Sequence, residues 1–357
     1  MPFAGYMNVF SIHSYSYTSR QTTSTRNMPS PLSGGKFTET RRVELRKIGE
    51  ETLEALRRGH YELLGQRVDI RNQIRESERS TKFFGSNSSV SKWATSPPQP
   101  SSSNKPSQIS ILQITTIDAA RLLRNTYDHN PQDAGSITGV LNFASATKPG
   151  GGFKSGAEAQ EESIARASTL YSTLVTAEAT KFYDLHKNES SQNNAAFYSH
   201  GMVYSPKVLV FRDDDGLWTP DFEIDVLTCA AVNAGEILKR TNGVNNPAAV
   251  VTIEKEMMER MGRILYLFEQ KGARNIILGT FGTGVFKNDV ATVTRIWAQL
   301  LILPTARFKN SFDRVIFAVT GDSTYSDFKS GFEAWAEKKP AAKKSGPGGL
   351  ARRLTLS

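Results

Sequence analysis

The 357-residue chain has one cysteine, Cys229. That excludes an intramolecular disulfide framework and any cluster of thiolate zinc ligands, and it fits a reducing compartment. Its five histidines, at 13, 60, 129, 186 and 200, are scattered along the chain. No metal site is expected, and no organic cofactor. No run approaches the roughly 18 apolar residues of a membrane span, so no membrane-integral segment is expected either. Acidic residues are missing from both ends. Residues 1–38 carry Arg20, Arg26 and Lys36 without an acid, and residues 338–357 carry Lys338, Lys339, Lys343, Lys344, Arg352 and Arg353 without one.

Those nine terminal cations account for the whole net charge of +9. The stretch between them keeps 35 basic residues (44 less the nine) against 35 acidic ones. The basic character therefore belongs to the tails and does not mark a nucleic-acid-binding body. The N-terminal tail, rich in Ser and Thr, has the composition of a mitochondrial presequence but no convincing amphipathic helix, and Met28 offers an internal start. The C-terminal "KKPAAKKSGPGGLARR" has the two basic clusters of a nuclear import signal. Nucleus and cytoplasm are the expected locations, with mitochondria as the alternative.

Hydrophobic periodicity divides the remainder. From Arg41 to about Leu64, Leu45, Ile48, Leu53 and Leu56 share one helical face. Gly85 to Gln108 is Ser/Pro-rich and reads as a long loop or linker. Strands and helices then alternate. "ISILQIT", "ITGVLNFAS", "KVLVF", "IDVLTCA", "NIILGT" and "RVIFAVT" are apolar runs of strand length. "IDAARLLRNTY", the Ile253–Met257–Met261–Ile264–Phe268 series and "NDVATVTRIWAQLL" are helical, the methionines serving as core filler. The pattern predicts an α/β fold, a three-layer α/β/α domain. Its divisions are a disordered tail over 1–38, a helical extension with the Ser/Pro-rich loop over 39–107, a catalytic domain over 108–338, and a basic disordered tail over 339–357.

In such domains ligands lie beyond the carboxyl ends of strands. Two glycine-rich loops have that placement: "PGGGFKSG" after "GVLNFAS", and "GTFGTGVFKND" after "NIIL". In the second, Gly282 and Gly284 are expected at positive φ, aiming backbone amides at an anion. It fits neither the P-loop nor the GxGxxG pattern. Gly150, Gly151 and Gly152 lead into Gln160, Glu161 and Glu162. On the first turn of a helix, two adjacent acids can diverge, one toward ligand hydroxyls and the other toward a scissile bond. Glycosidic cleavage needs a carboxylic acid near the leaving oxygen, with a raised pKa supplied by an apolar or anionic neighbour. Acids at a helix start also simply complement its dipole, and the residues by themselves leave both readings open.

"VLNFASATKPGGGFKSGAEAQEESIARASTLY" resembles the signature of the microbial-type poly(ADP-ribose) glycohydrolases, enzymes of the macrodomain fold. The resemblance continues through "VLVFRDDDG", "IDVLTCAAVNAG" and "IILGTFGTGVFKND", and covers roughly residues 41–338. It implies a macrodomain-like mixed sheet with an N-terminal helical extension, and a metal-free hydrolase that cuts ribose–ribose O-glycosidic bonds. Its partners would be poly(ADP-ribose) and ADP-ribosylated proteins, ADP-ribose its product, and its form a monomer, with a part in reversing ADP-ribosylation in the DNA damage response. Glu162 would be the catalytic acid/base, Glu161 would hold ribose hydroxyls, and Gln160 would brace the pair. Gly150, Gly151 and Gly152 would pass under the ribose and diphosphate, with Asn142 close by. Gly282, Thr283, Gly284 and Val285 would bind the diphosphate, and Phe286 would press on the terminal ribose. Many macrodomains read adenine with an aspartate after the first strand, where this chain has Gln113, Thr115 and Thr116. Asp213 to Asp215 are expected to form a turn and are assigned no chemistry. The rival readings are a mono-ADP-ribosyl hydrolase acting on protein or nucleic acid, and a catalytically silent ADP-ribose reader. The intact Gln160-Glu161-Glu162 set weighs against the reader.

Overall fold

The structure, a computed structural model, describes residues 39–101, 105–128, 136–188, 195–241 and 246–337. Both expected tails lie outside the described residues. Seven strands form one mixed sheet in the order β3 (Lys82–Phe84), β6 (Met202–Arg212), β7 (Trp218–Cys229), β5 (Thr138–Phe143), β8 (Asn275–Leu278), β9 (Arg314–Ala318) and β4 (Gln108–Leu112). From β7 to β4 all neighbours run parallel, while β6 pairs antiparallel with both β7 and β3.

Successive side chains of a strand face opposite sides, so a sheet covered on both faces needs apolar residues at every position. On β8, Ile276 and Leu278 pack toward α8 (Pro247–Gln270) and α9 (Val290–Leu301), whereas Ile277 packs toward α3 (Thr116–Asp128) and α4 (Gln160–Ala167). On β9, Val315 and Phe317 share the first face and Ile316 the second. Phe317 meets Phe328 and Phe332 of α10 (Asp322–Ala336) at ring separations of 5.1 and 5.2 Å. The remaining helices, α5 (Leu170–Leu174) and α6 (Ala177–Asn188) on the second face and α7 (Ala234–Arg240) on the first, complete the layers.

The N-terminal region departs from its periodic reading. Helix α1 (Glu39–Arg58) stops at Gly59, whose φ of +70° ends it. The chain then forms a hairpin, β1 (His60–Leu63) with β2 (Gln66–Asp69), turning at Leu64 and Gly65, both at positive φ. Helix α2 (Arg71–Ser80) follows, and β3 adds an edge to the main sheet. The Ser/Pro-rich stretch is also tied down. A 3₁₀ turn at Ser89–Lys92 buries Val90, and Trp93 packs against Phe308 while its Nε1 donates to Glu259 at 2.8 Å. Gly262 makes room for that ring, since a Cβ there would lie 2.6 Å from it. Among the described residues no helix is long and apolar enough to cross a membrane.

Candidate active site

The loops that leave the carboxyl ends of β4, β5, β7, β8 and β9 converge on one cavity of about 830 Å³, within the range of small-ligand sites. Thr115 and Thr116 come from the first, Phe143 to Gly152 in part from the second, Ala231 from the third, Thr280 to Phe286 from the fourth, and Thr320 from the fifth. The N-terminus of α4 closes the floor with Gln160, Glu161 and Glu162.

Gln160 joins α4 to the sheet. Its Oε1 accepts the Phe143 amide at 2.8 Å, and its Nε2 donates to the Leu141 carbonyl at 2.7 Å and to Thr116 Oγ1 at 3.2 Å. Its amide group is thus spent on the end of β5 and on Thr116. Glu161 is only 2% exposed: Oε2 accepts the Ser145 amide at 2.7 Å, and Oε1 faces Asn142 Nδ2 at 3.4 Å. Glu162 Oε1 accepts the Gly152 amide at 2.8 Å. The two carboxylates take different partners, Glu161 on Ser145 and Asn142 and Glu162 on Gly152. A Cβ on Gly151 would overlap Glu162 Oε1 and come within 3.0 Å of Glu161 Oε2, so both carboxylates reach the same glycine. Adjacent side chains can do this because the Gly-rich loop folds back over the helix start, with Gly150 at φ +68° and Gly151 at +59°.

Burial, reinforced by the neighbouring charge of Glu162, pushes the Glu161 carboxyl up to about 8, although the Ser145 amide and Asn142 pull against this. The carboxyl of the pair raised by burial is therefore Glu161, the residue expected to hold ribose hydroxyls. Cys229 is fully buried and its thiol is pushed up to about 12, which removes it as a nucleophile.

Gly151 and Gly152 form part of the wall, as do Gly282, Thr283, Gly284, Val285 and Phe286. Asn142 and Gly150 stand behind it. Asn142 is fully buried and also donates to Thr228 Oγ1 at 3.2 Å, and a Cβ on Gly150 would point at the Phe153 and Tyr171 rings. Of the glycines in the loop after β8 only Gly282 has positive φ, at +77°, and Lys287 shares that region at +57°. Gly284 does not, and a Cβ there would meet nothing within 4 Å. This corrects the expectation for Gly284. Gly282 is the constrained position because a Cβ would overlap that of Ala231 and lie 2.7 Å from Asn288 Nδ2.

Among the charged wall residues that sequence reasoning missed are Arg41, Arg166, Asp214 and Asp215. Arg41 reaches the cavity from α1 and pairs with Glu158 at 3.1 Å. Arg166, nearly fully buried, follows Glu162 by one helical turn and donates to the Ala157 carbonyl. Asp214 and Asp215 face the cavity, with Asp214 Oδ2 accepting from Thr115 Oγ1 at 2.6 Å. Burial raises Asp214 above the usual carboxylate range. Asp213 does make the expected turn, its Oδ1 accepting the Leu217 amide at 2.8 Å. The acid run after a strand end was the available signal for Asp214 and Asp215, and spacing from Glu162 the one for Arg166.

The family model for the microbial-type PARG catalytic domain matches residues 49–213. No curated protein matches the chain. Among solved structures, poly(ADP-ribose) glycohydrolase from Thermomonospora curvata superposes with a TM-score of 0.70 at 32% identity, over 82% of this chain and 99% of that one. The same enzyme bound to the inhibitor ADP-HPD gives 0.67 at 33% identity, with the same coverage. Poly(ADP-ribose) glycohydrolase from Deinococcus radiodurans in complex with ADP-ribose gives 0.60 at 28%, over 77% of this chain and all of that one. The macrodomain-like layering thus has counterparts among solved structures, and the chain belongs to the microbial-type poly(ADP-ribose) glycohydrolase family.

Proposed function

We infer that the chain is a poly(ADP-ribose) glycohydrolase, a glycosyl hydrolase that cuts the ribose–ribose O-glycosidic bond of the polymer and releases ADP-ribose. The observation that carries this reading is the meeting of two buried carboxylates at Gly151, in the wall of a cavity that also holds the Gly282–Val285 loop. Burial raises the Glu161 carboxyl to about 8, so Glu161 stays protonated at neutral pH beside Glu162.

Glu162 delivers a proton to the ribose oxygen that leaves C1″ as positive charge develops on the anomeric carbon. Water then adds to C1″ and returns a proton to Glu162, so one water is consumed for each ADP-ribose released. Glu161 accepts from hydroxyls of the terminal ribose. Gly282 to Val285 present backbone amides to the diphosphate, and Phe286 presses the ribose toward the acids. No base or nucleophile role is assigned to Asp214 or Asp215, which also face the cavity, and the diphosphate itself positions the water. A silent reader has no need of a buried acid pair.

The test is to incubate the protein and its Glu162→Gln variant with defined poly(ADP-ribose) and with mono-ADP-ribosylated protein, and to identify the products. The wild type should release ADP-ribose from the polymer. The variant should lose a factor on the order of 10²–10⁴ in rate while its affinity for ADP-ribose stays within about tenfold. Release from mono-ADP-ribosylated protein alone would establish the rival activity, and near-normal turnover by the variant would remove Glu162 from its role.

A further inference from the structure

Phe286 stands on a support that none of the roles above includes. Its ring lies 5.7 Å from that of Tyr198, which lies 5.5 Å from the His186 imidazole, itself packed edge-on to Phe182 at 4.5 Å. Tyr198 holds an unusual backbone, with φ at +52°, a conformation uncommon for a bulky residue and costly unless its surroundings impose it.

Those surroundings centre on Arg260 of α8. Its side chain is fully buried, and no carboxylate pairs with it among the described residues. Instead Nη2 donates to the carbonyls of Phe197 and Tyr198 at 2.8 and 3.1 Å, and Nη1 to that of Ala230 at 3.0 Å. Burying a guanidinium against neutral acceptors is expensive, and here it ties the 196–200 segment to the loop after β7. That loop seats the ligand-facing elements in turn. The Gly235 amide donates to the Phe286 carbonyl at 2.9 Å, the Val232 carbonyl accepts from Asn288 Nδ2 at 2.7 Å, and the Asn233 amide donates to the Ala196 carbonyl at 2.8 Å. On the other side of Tyr198, His186 Nε2 accepts the Ser199 amide at 3.0 Å, so the ring proton belongs to Nδ1. Tyr198 is thus pinned from two directions, and its ring bears on Phe286.

We propose that Tyr198 and Arg260 are positioning residues for the reaction: Arg260 fixes the strained Tyr198 backbone, and the Tyr198 ring holds Phe286 against the terminal ribose. The proposal rests on the role given to Phe286 above. Neither residue touches substrate. Their contribution lies in orientation, where displacements near 1 Å cost up to about a hundredfold in rate.

The test compares Tyr198→Asn, Tyr198→Phe, Phe286→Ala and the Tyr198→Asn/Phe286→Ala double variant on poly(ADP-ribose), with ADP-ribose affinity and thermal unfolding followed in parallel. Asparagine is at ease at positive φ and removes the ring without straining the turn. Tyr198→Asn should lower kcat about tenfold or more, leave ADP-ribose affinity within about threefold, and make Phe286→Ala no worse, because contacting residues that act as a unit are not additive. Tyr198→Phe should restore wild-type kcat. Arg260→Lys, which keeps the charge but cannot reach three carbonyls, should show the same split between kcat and affinity. A normal kcat in Tyr198→Asn, or losses that multiply in the double variant, would overturn the proposal while leaving the glycohydrolase reading intact. Full activity in Phe286→Ala would remove the role of Phe286 and this proposal with it.

Discussion

Gly151 and Glu162 occupy one space: the position a Cβ would take on the glycine is already filled by Oε1 of the glutamate. The backbone there is also left-handed, with φ at +59°. Gly151→Ala should therefore displace the acid as well as strain the loop, and we expect kcat to fall by about 10² in a protein that still folds. Gly284→Ala is the matched control. Its backbone is ordinary and its Cβ would meet no protein atom, so the variant should keep the wild-type Tm, whereas Gly282→Ala should lower Tm and weaken ADP-ribose affinity measured by calorimetry.

The Glu161 carboxyl sets a pH dependence whose sign can be worked out. Its folded value, raised by burial to about 8, exceeds the ordinary 4.5. Between those values the folded chain holds a proton that the unfolded chain has lost, so this contribution is complete below about pH 4.5 and fades as pH rises through about 8. Glu161→Gln removes the titration. The amide can still face Asn142, whose buried Oδ1 has no partner at present. We expect the wild-type Tm to drop relative to that of the variant between pH 5.5 and 8.5, and wild-type kcat/KM to decline above about pH 8 as Glu161 gains a charge beside Glu162. Parallel Tm curves would mean that Glu161 is ionised in the fold.

Much of this was legible beforehand because buried parallel strands are written as unbroken apolar runs, as "NIIL" and "RVIFA" are. The glycine and acid motifs were legible because the loop needs residues without side chains beside the carboxylates. What could not be read was set by tertiary contacts. Strand β6 begins at Met202, well before the apolar "KVLVF", because a bulge between Ser205 and Val208 absorbs Pro206 and carries Lys207 at positive φ. Gly282 and Gly284 look alike in sequence, and the fold separates them by backbone angle and by the packing of Ala231 and Asn288. Asp214 acquires its place from Thr115, ninety-nine residues away.

Trp93 tests whether the Ser/Pro-rich stretch is part of the fold. Its ring fills the notch at Gly262 and stacks on Phe308 at 6.1 Å. Trp93→Ala should cost about 2–3 kcal/mol of stability, below the range for a fully buried ring. Because the ring is remote from the cavity wall, kcat should not change. Urea unfolding and turnover measured on one preparation would check both, and an unaltered midpoint would return the segment to the status of a loose linker.

The tails carry the last prediction. Residues 39–337 balance 35 basic against 35 acidic side chains, and all nine excess cations lie outside them. Long-range attraction to a polyanion falls off within a Debye length of about 8–10 Å at ordinary salt, and each phosphate neutralised adds to the salt slope of binding. A chain reduced to residues 39–337 should therefore hydrolyse a minimal dimeric substrate at the normal rate, because every residue lining the cavity lies within it. Its affinity for long poly(ADP-ribose) should fall, and the dependence of that affinity on salt should flatten. Titrations of both chains at several salt concentrations would measure the difference. Fusing residues 338–357 to a reporter should concentrate it in the nucleus. Equal salt slopes, together with an evenly spread reporter, would leave the terminal cations no part in binding or addressing.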